Sequence, residues 1–572
     1  MTGECQGRAA GFLLALAFTG AQALDAAENY LVSGIVVDSQ SHAPLGNARV
    51  SLSPTAARDR KLERVTKQDG QFSFSVGEPG KYALAVTKPG YPAQDYKQAG
   101  FAGVSSAIVV RDDQDTSNLV FEARRGGVLT GLVKDEDSEP VGNALVSIFQ
   151  SAIVDGDRRI VFRGQTRANA SGEFRLSGLP RGSYYVCAMG RPWFADPIVQ
   201  LKSLEENTAR FAHGRGTLPR GEESEETATR APKLSPDPLF RGTAFLPTFY
   251  PHAQSVDQAS LVRVDAGSET PVSIALPLAA GVSVKGTIND PGQLSDGRAF
   301  LYKKVRNYNI SFLDEWVLKD KTVRFANVPP GSYEIVATSQ AGSGASSWSV
   351  HETVEVGASD IEVALRPQQL SSMSGRVLFE GERPATQSDL FVTLRHEKGG
   401  YVRAEVDPQG RFSLSRLLAG QYEVTAGNAE YVAEYLTGPG DERFPLTFTV
   451  SPGEATHRDV TLIRAVSEIK GTVESVGMPQ IGAFVLLIPK DSSQRWAYRA
   501  DQTDSDGSYR LGTIPAGDYS LVALSDGEDV AFRDAKVAAR LSEAAKAVHV
   551  EPGDHIDLKL DLVSTPTLKL SP

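Results

Sequence analysis

The chain has 572 residues, with 59 Lys and Arg against 70 Asp and Glu, a net charge of −11, and two cysteines. That length exceeds what one core fills, about 250–300 residues, so several domains are expected. Two cysteines exclude a disulfide-stapled array, the acidic balance excludes a general nucleic-acid binder, and a 41% hydrophobic content excludes a disordered chain.

In chain order, Arg8 precedes an apolar run that includes Phe12-Leu13-Leu14-Ala15-Leu16-Ala17-Phe18, and Ala21-Gln22-Ala23 follows. This reads as a secretory signal peptide over residues 1–23, cleaved after Ala23. The run is shorter than the roughly 20 residues of a membrane span, and no later run reaches that length. A secreted or periplasmic protein is expected. Cys5 falls in the removed part, which leaves Cys187 in the strand-like Tyr184-Tyr185-Val186-Cys187-Ala188 as a buried structural thiol.

Three signatures then recur in fixed order. A glycine inside a strand-like entry comes first, at Gly34, Gly131, Gly286, Gly375 and Gly471. A glycine turn before an aromatic comes second: Asp69-Gly70-Gln71-Phe72, Ser171-Gly172-Glu173-Phe174, Gln409-Gly410-Arg411-Phe412 and Asp506-Gly507-Ser508-Tyr509. The third copy has Val323-Arg324-Phe325 instead. A Gly-x-Tyr corner closes the set, at Tyr82, Tyr184, Tyr333, Tyr422 and Tyr519. Glycine after Asp supplies the positive φ of a tight hairpin, and the tyrosine can fill the core while its hydroxyl reaches the edge.

The steps between the first glycines are 97, 155, 89 and 96 residues. Alternating segments at 272–276, 361–365, 459–462 and 558–562 read as closing strands. Five modules result: 30–123, 126–280, 281–367, 370–464 and 466–563, with a tail at 564–572. The long second step is explained by residues 203–240, whose charge and proline content is that of a disordered insertion. The only strong helical spacing runs from Asp534 to Val548.

The order of these signatures resembles the carboxypeptidase regulatory-like domain, together with Pro44-Leu45-Gly46-Asn47-Ala48-Arg49-Val50-Ser51 and Pro140-Val141-Gly142-Asn143-Ala144-Leu145-Val146-Ser147. The resemblance covers nearly all of the chain after residue 30, is best in modules one and two, and is degenerate in three and four. It implies an all-β fold, a tandem array of about five transthyretin-like (prealbumin-like) or starch-binding-like β-sandwich modules. The array is similar to B-type repeats of Gram-positive adhesins and to tandem carboxypeptidase regulatory-like proteins exported by soil bacteria. Such adhesin repeats can carry a Lys–Asn crosslink. Lys285 and Lys470 lie in first strands, but their closing strands lack Asn, so both are expected to be exposed strand lysines.

The family name invites a zinc peptidase, and the residues do not support one. No His-Glu-x-x-His or Gly-x-Ser-x-Gly occurs. No catalytic residue, metal or other cofactor is expected. Asp504 and Asp506 in Asp504-Ser505-Asp506-Gly507 are calcium candidates by oxygen content, but an EF-hand needs Glu where Thr513 stands, and hairpin chemistry accounts for the turn. Sugar sites stack rings on exposed aromatics, so Trp193, Tyr250, Trp316, Trp348 and Trp496 are the carbohydrate-binding candidates, weighed against simple loop anchoring into small cores. The expected function is a non-catalytic binding or scaffold protein contacting a polysaccharide or an envelope protein. The alternative is a structural accessory that recruits an enzyme, and a regulatory protein associated with a metallo-carboxypeptidase is a more distant one. Neither a nucleic-acid partner nor a membrane span is expected. Short junctions such as Ala123-Arg124-Arg125-Gly126-Gly127 suggest an elongated rod that binds by avidity.

Overall fold

The computed structural model describes residues 30–98, 104–192, 242–289, 297–306, 308–316, 321–339, 348–381, 390–397, 400–428, 430–438, 440–492 and 494–568. The expected signal peptide at 1–23 and the insertion at 203–240 lie outside them. The described residues are almost entirely β, in five sandwich units, each with its own apolar core.

The first unit sets the pattern. Tyr30–Asp38 pairs with Gln71–Val76 on one side and lies parallel to Leu119–Ala123 on the other. A second sheet runs in the order Leu62–Val65, Arg49–Pro54, Gly80–Lys88, Tyr91–Asp95, and Ala107–Val110 also joins Gly80–Lys88. Alternate residues of both sheets, among them Val32, Val50, Phe74, Leu84 and Phe121, meet in the core. The opening strands of the other four units likewise run parallel to their closing strands.

The repeated strand glycine has a steric cause. A Cβ at Gly34, Gly131, Gly375 or Gly471 would fall within 2.2 Å of a carbonyl oxygen on the parallel closing strand. Across the antiparallel partner the same glycine faces the signature aromatic, as in Gly34↔Phe72, Gly131↔Phe174, Gly375↔Phe412 and Gly471↔Tyr509. Glycine makes room for strand closure and for the ring at once. In the third unit Gly286 faces Val323, and Phe325 sits two residues on, opposite Val284. The missing turn motif is thus offset, and its ring still enters the core.

The tyrosine corner is equally regular. Tyr82, Tyr184, Tyr422 and Tyr519 each donate the hydroxyl to the backbone carbonyl four residues upstream, at 2.5–3.0 Å. Tyr333 is fully buried, and its hydroxyl has no hydrogen-bond partner among the described residues.

The helix is shorter than its periodicity suggests. It spans Ala535–Glu543, with the Asp534 carboxylate accepting from the Lys536 and Val537 amides as N-cap. Lys546–Val550, which extends the same apolar spacing, is instead a strand paired with Gly517–Leu524. The helix covers the outer face of Phe484–Pro489, so that strand is buried on both faces and reads as an unbroken apolar run.

The five units do not string out as a rod. The fifth turns back and packs against the first and the second. Phe532 lies over Gly156, where a Cβ would come within 2.4 Å of its ring, and the Arg533 amide donates to the Gly156 carbonyl at 3.0 Å. Arg495 pairs with Asp157, and Arg395 of the fourth unit reaches Asp155 at 2.6 Å. The short junctions behind the rod expectation are present, but burial and hydrogen bonding between distant units override them.

Candidate functional site

The contact between the first and fifth units is built by the edge strand Ala107–Val110 and the hairpin turn at 503–506. The Ala107 amide donates to Asp504 Oδ1 at 2.8 Å, the Ser505 amide to the Ala107 carbonyl at 3.0 Å, and the Val109 amide to Ser505 Oγ at 2.9 Å. Ser106 Oγ donates to the Thr503 carbonyl at 2.7 Å, and Gln502 donates to the Lys97 carbonyl. Lys81 reaches Asp504 at 2.5 Å, and Arg111 reaches Asp506 at 3.1 Å. Ser106, Gln502, Thr503 and Asp504 are each no more than 4% exposed. The turn thus satisfies the open edge of the strand as a further strand would, and the contact works as a clasp.

Asp504 and Asp506 are therefore placed against protein cations. Burial pushes the Asp504 carboxyl above its ordinary value, while Lys81 and the Ala107 amide act in the other direction. Among the described residues no group of three or more metal-ligating side chains occurs. Sequence reasoning read the turn correctly and missed its partner. In the second and fourth units the equivalent residues, Asn169 and Asp407, cap their own turns by accepting from amides two and four residues on. The side chain of Asp504 makes no such bond and points instead across the contact.

Where the first, second and fifth units meet, they enclose a cavity of about 930 Å³. The first contributes 92–98, Arg124 and Arg125; the second Gln150, Arg158, Arg163, Arg181 and Arg263; the fifth Asp526, Glu528 and Asp529. Part of this charge is already matched. Glu528 accepts from Arg181 at 3.3 Å and lies 4.0 Å from Arg124. Arg125 donates to Asp38 at 2.6 Å. Burial works against ionisation of Asp38, but donors from Ser41, Arg125 and Tyr91 outweigh it and hold that carboxyl well below the usual range. Gln94 clips the junction by accepting from the Arg124 amide at 2.8 Å and donating to its carbonyl at 2.9 Å.

The aromatic candidates are dispersed. Trp193 lies outside the described residues. Tyr250 and Trp496 are half-buried against the cores of the second and fifth units. The backbones of Trp316 and Trp348 are at one end of a single sheet of the third unit, since Trp316 pairs with Arg298, Arg298 with Thr338, and Thr338 with Ser349. Three strand spacings, roughly 14 Å, separate them. Cys187 is fully buried between the second and third units, and burial pushes its thiol up to about 12. Lys285 is paired with Glu362 at 2.8 Å. No helix among the described residues is long and apolar enough to cross a membrane.

The carboxypeptidase regulatory-like domain matches residues 32–122, the first unit. No curated protein matches the chain. Similar solved structures include the Bacillus anthracis TIE protein, at 12% identity over 76% of this chain and 74% of that one, with a TM-score of 0.17. A streptococcal ancillary pilin is similar at 10% identity over 49% of this chain and 98% of its own, with a TM-score of 0.18. The shaft pilin SpaA from Lactobacillus rhamnosus GG is similar at 10% identity over 44% of this chain and 98% of its own, with a TM-score of 0.20. At such scores these likenesses say nothing about the cleft.

Proposed function

We propose that this protein is a non-catalytic, exported binding scaffold whose ligand sits in the cleft between the first, second and fifth units. The observation that carries the reading is the clasp, because it closes the first unit on the last around a cleft of about 930 Å³ with charged side chains in its walls. Ligand sites favour such junctions between domains, and this volume is within the usual range of about 300–1,000 Å³. Rigid sandwiches fix the walls in advance, which lowers the ordering cost of binding. The export expected from residues 1–23 would bring the cleft to envelope or extracellular partners. The test is a pull-down of glycans and envelope proteins with the full chain and with Asp504→Ala. Binding that falls when the clasp is opened supports the reading; binding that is indifferent to the clasp removes it.

A second reading keeps the aromatic candidates. Trp316 and Trp348 stand at one end of a sheet of the third unit but at register positions of opposite faces, so each would serve a sugar singly. Loss of glycan binding in a Trp316→Ala, Trp348→Ala double variant, with the clasp intact, would select it over the cleft.

A further inference from the structure

We infer that the cleft takes an acidic oligosaccharide, one whose sugar rings carry isolated carboxylates among many hydroxyls. The inference rests on the proposed cleft reading and adds the ligand class.

The wall from the second unit presents cations that the protein leaves unmatched. Ladder pairing runs from Ile148↔Gly164 to Phe149↔Phe162, so Arg163 is a bulge residue. A bulge re-aims the side chain it carries. The Nε of Arg163 donates to Gln150 Oε1 at 2.7 Å. Gln150 is buried and in turn donates to the Arg181 carbonyl at 3.3 Å. It fits there because residue 182 is glycine; a Cβ would lie 2.3 Å from the Gln150 amide nitrogen. The guanidinium is thus fixed through Nε, and its two Nη groups make no hydrogen bond among the described residues. Arg158, on the same strand and in the same wall, is exposed and makes no ion pair among the described residues. Arg158 and Arg163 stand five residues apart on one strand, roughly 15 Å along it, so they present two separate guanidinium groups with no carboxylate partner among the described residues, each an anion site of the fork type.

The facing wall decides what kind of anion. Asp526 and Asp529 are exposed carboxylates, and Glu528 is held by Arg181. A dense polyanion such as polyphosphate or nucleic acid would meet these carboxylates head on. A neutral sugar would leave both arginines unused. A uronate chain satisfies both walls, because carboxylates on different rings accept from Arg158 and from Arg163 while its hydroxyls donate to Asp526 and Asp529.

Calorimetry on the full chain separates the outcomes, with tetragalacturonate, maltotetraose and tetraglutamate as probes. Tetragalacturonate is expected to bind best. An Arg158→Gln, Arg163→Gln double variant is expected to weaken it by roughly tenfold or more. Arg158→Gln alone should leave the melting temperature unchanged, while the double variant also loses the Arg163–Gln150 bond and should melt slightly lower. Asp529→Asn should weaken tetragalacturonate and narrow its lead over tetraglutamate, because it removes both a hydroxyl acceptor and a charge that repels the polyanion. Equal or tighter binding of maltotetraose or tetraglutamate overturns the ligand class and leaves the cleft reading standing. Failure of all three probes to bind overturns the ligand class, and the cleft reading falls with it only if the Asp504→Ala pull-down is also indifferent to the clasp.

Discussion

Replacing Asp504 with alanine tests the clasp most directly. Its side chain bonds only across the contact, to the Ala107 amide at 2.8 Å and to Lys81 at 2.5 Å. Module five should therefore keep its own fold. The Ala107 amide is buried, and losing its acceptor costs about 1–3 kcal/mol. Lys81 is 39% exposed, so the ion pair adds at most about 1 kcal/mol after solvent screening. Against these stands the relief of no longer burying a carboxylate whose charge the site disfavours. A net loss of about 1.5–3 kcal/mol follows, which shifts the opening equilibrium by roughly 10- to 100-fold. Amide exchange reads it out: Ala107 and Val109, which donate to Asp504 and Ser505, should lose protection together. Small-angle scattering should show a larger radius of gyration. Asp407→Ala is the control, because that residue caps a turn in the fourth unit and, among the described residues, bonds only within that unit. If Asp504→Ala leaves both amides protected and the radius unchanged, the clasp is not what holds the first unit to the last.

Four further outcomes are expected. Tyr519→Phe should cost about 1 kcal/mol by losing its bond to the Pro515 carbonyl, whereas Tyr333→Phe should be neutral or stabilising because it removes a buried hydroxyl with no partner; paired thermal melts decide. Gly34→Ala should prevent the first unit from closing, since its Cβ would meet the Leu119 carbonyl oxygen at 2.0 Å; exchange of the Leu119–Ala123 amides checks this. Asp501 is raised to about 6 by burial, so the folded chain holds its proton more tightly than the unfolded one. Its contribution is full below about pH 4 and is lost as pH rises through about 6, and Asp501→Asn should flatten the melting profile across that window. Asp38 acts in the opposite sense: its depressed carboxyl stabilises above about pH 4 and loses that contribution on further acidification, so Asp38→Asn should weaken the acid-side fall.

The sandwich fold was legible because its signatures report local sterics. The strand glycine, the ring facing it and the tyrosine corner are each fixed by contacts within one unit, and each leaves the same letter in repeat after repeat. Where a letter was missing, as at Gly286 and Phe325, a two-residue offset kept the core filled. The helix was overextended for the opposite reason. Ala544, Ala545 and Val548 continue its spacing, but Lys546–Val550 gains a full ladder with Gly517–Leu524, and pairing outweighs periodicity.

The candidate site was not legible, and Asp504 shows why. An aspartate three residues before a turn glycine means a self-capped hairpin in the fourth unit, and Asn169 does the same in the second. In the fifth unit the same letter reaches an amide in a strand nearly four hundred residues away. Nothing near Asp504 in the sequence distinguishes the two uses, because what differs is which surface lies opposite. The same holds for the cleft. Arg158, Arg163 and Asp529 read as ordinary surface charges until three units are brought together around them. In a chain of repeats, the same letter can answer to the fold of one unit in one copy and to a contact between units in another. Arg163 sits at a bulge that recurs in the third unit, and its partner Gln150 lies over the corner glycine of its own unit, so only the surface opposite gives the arginine its role, and it is also the residue on which the ligand proposal most depends.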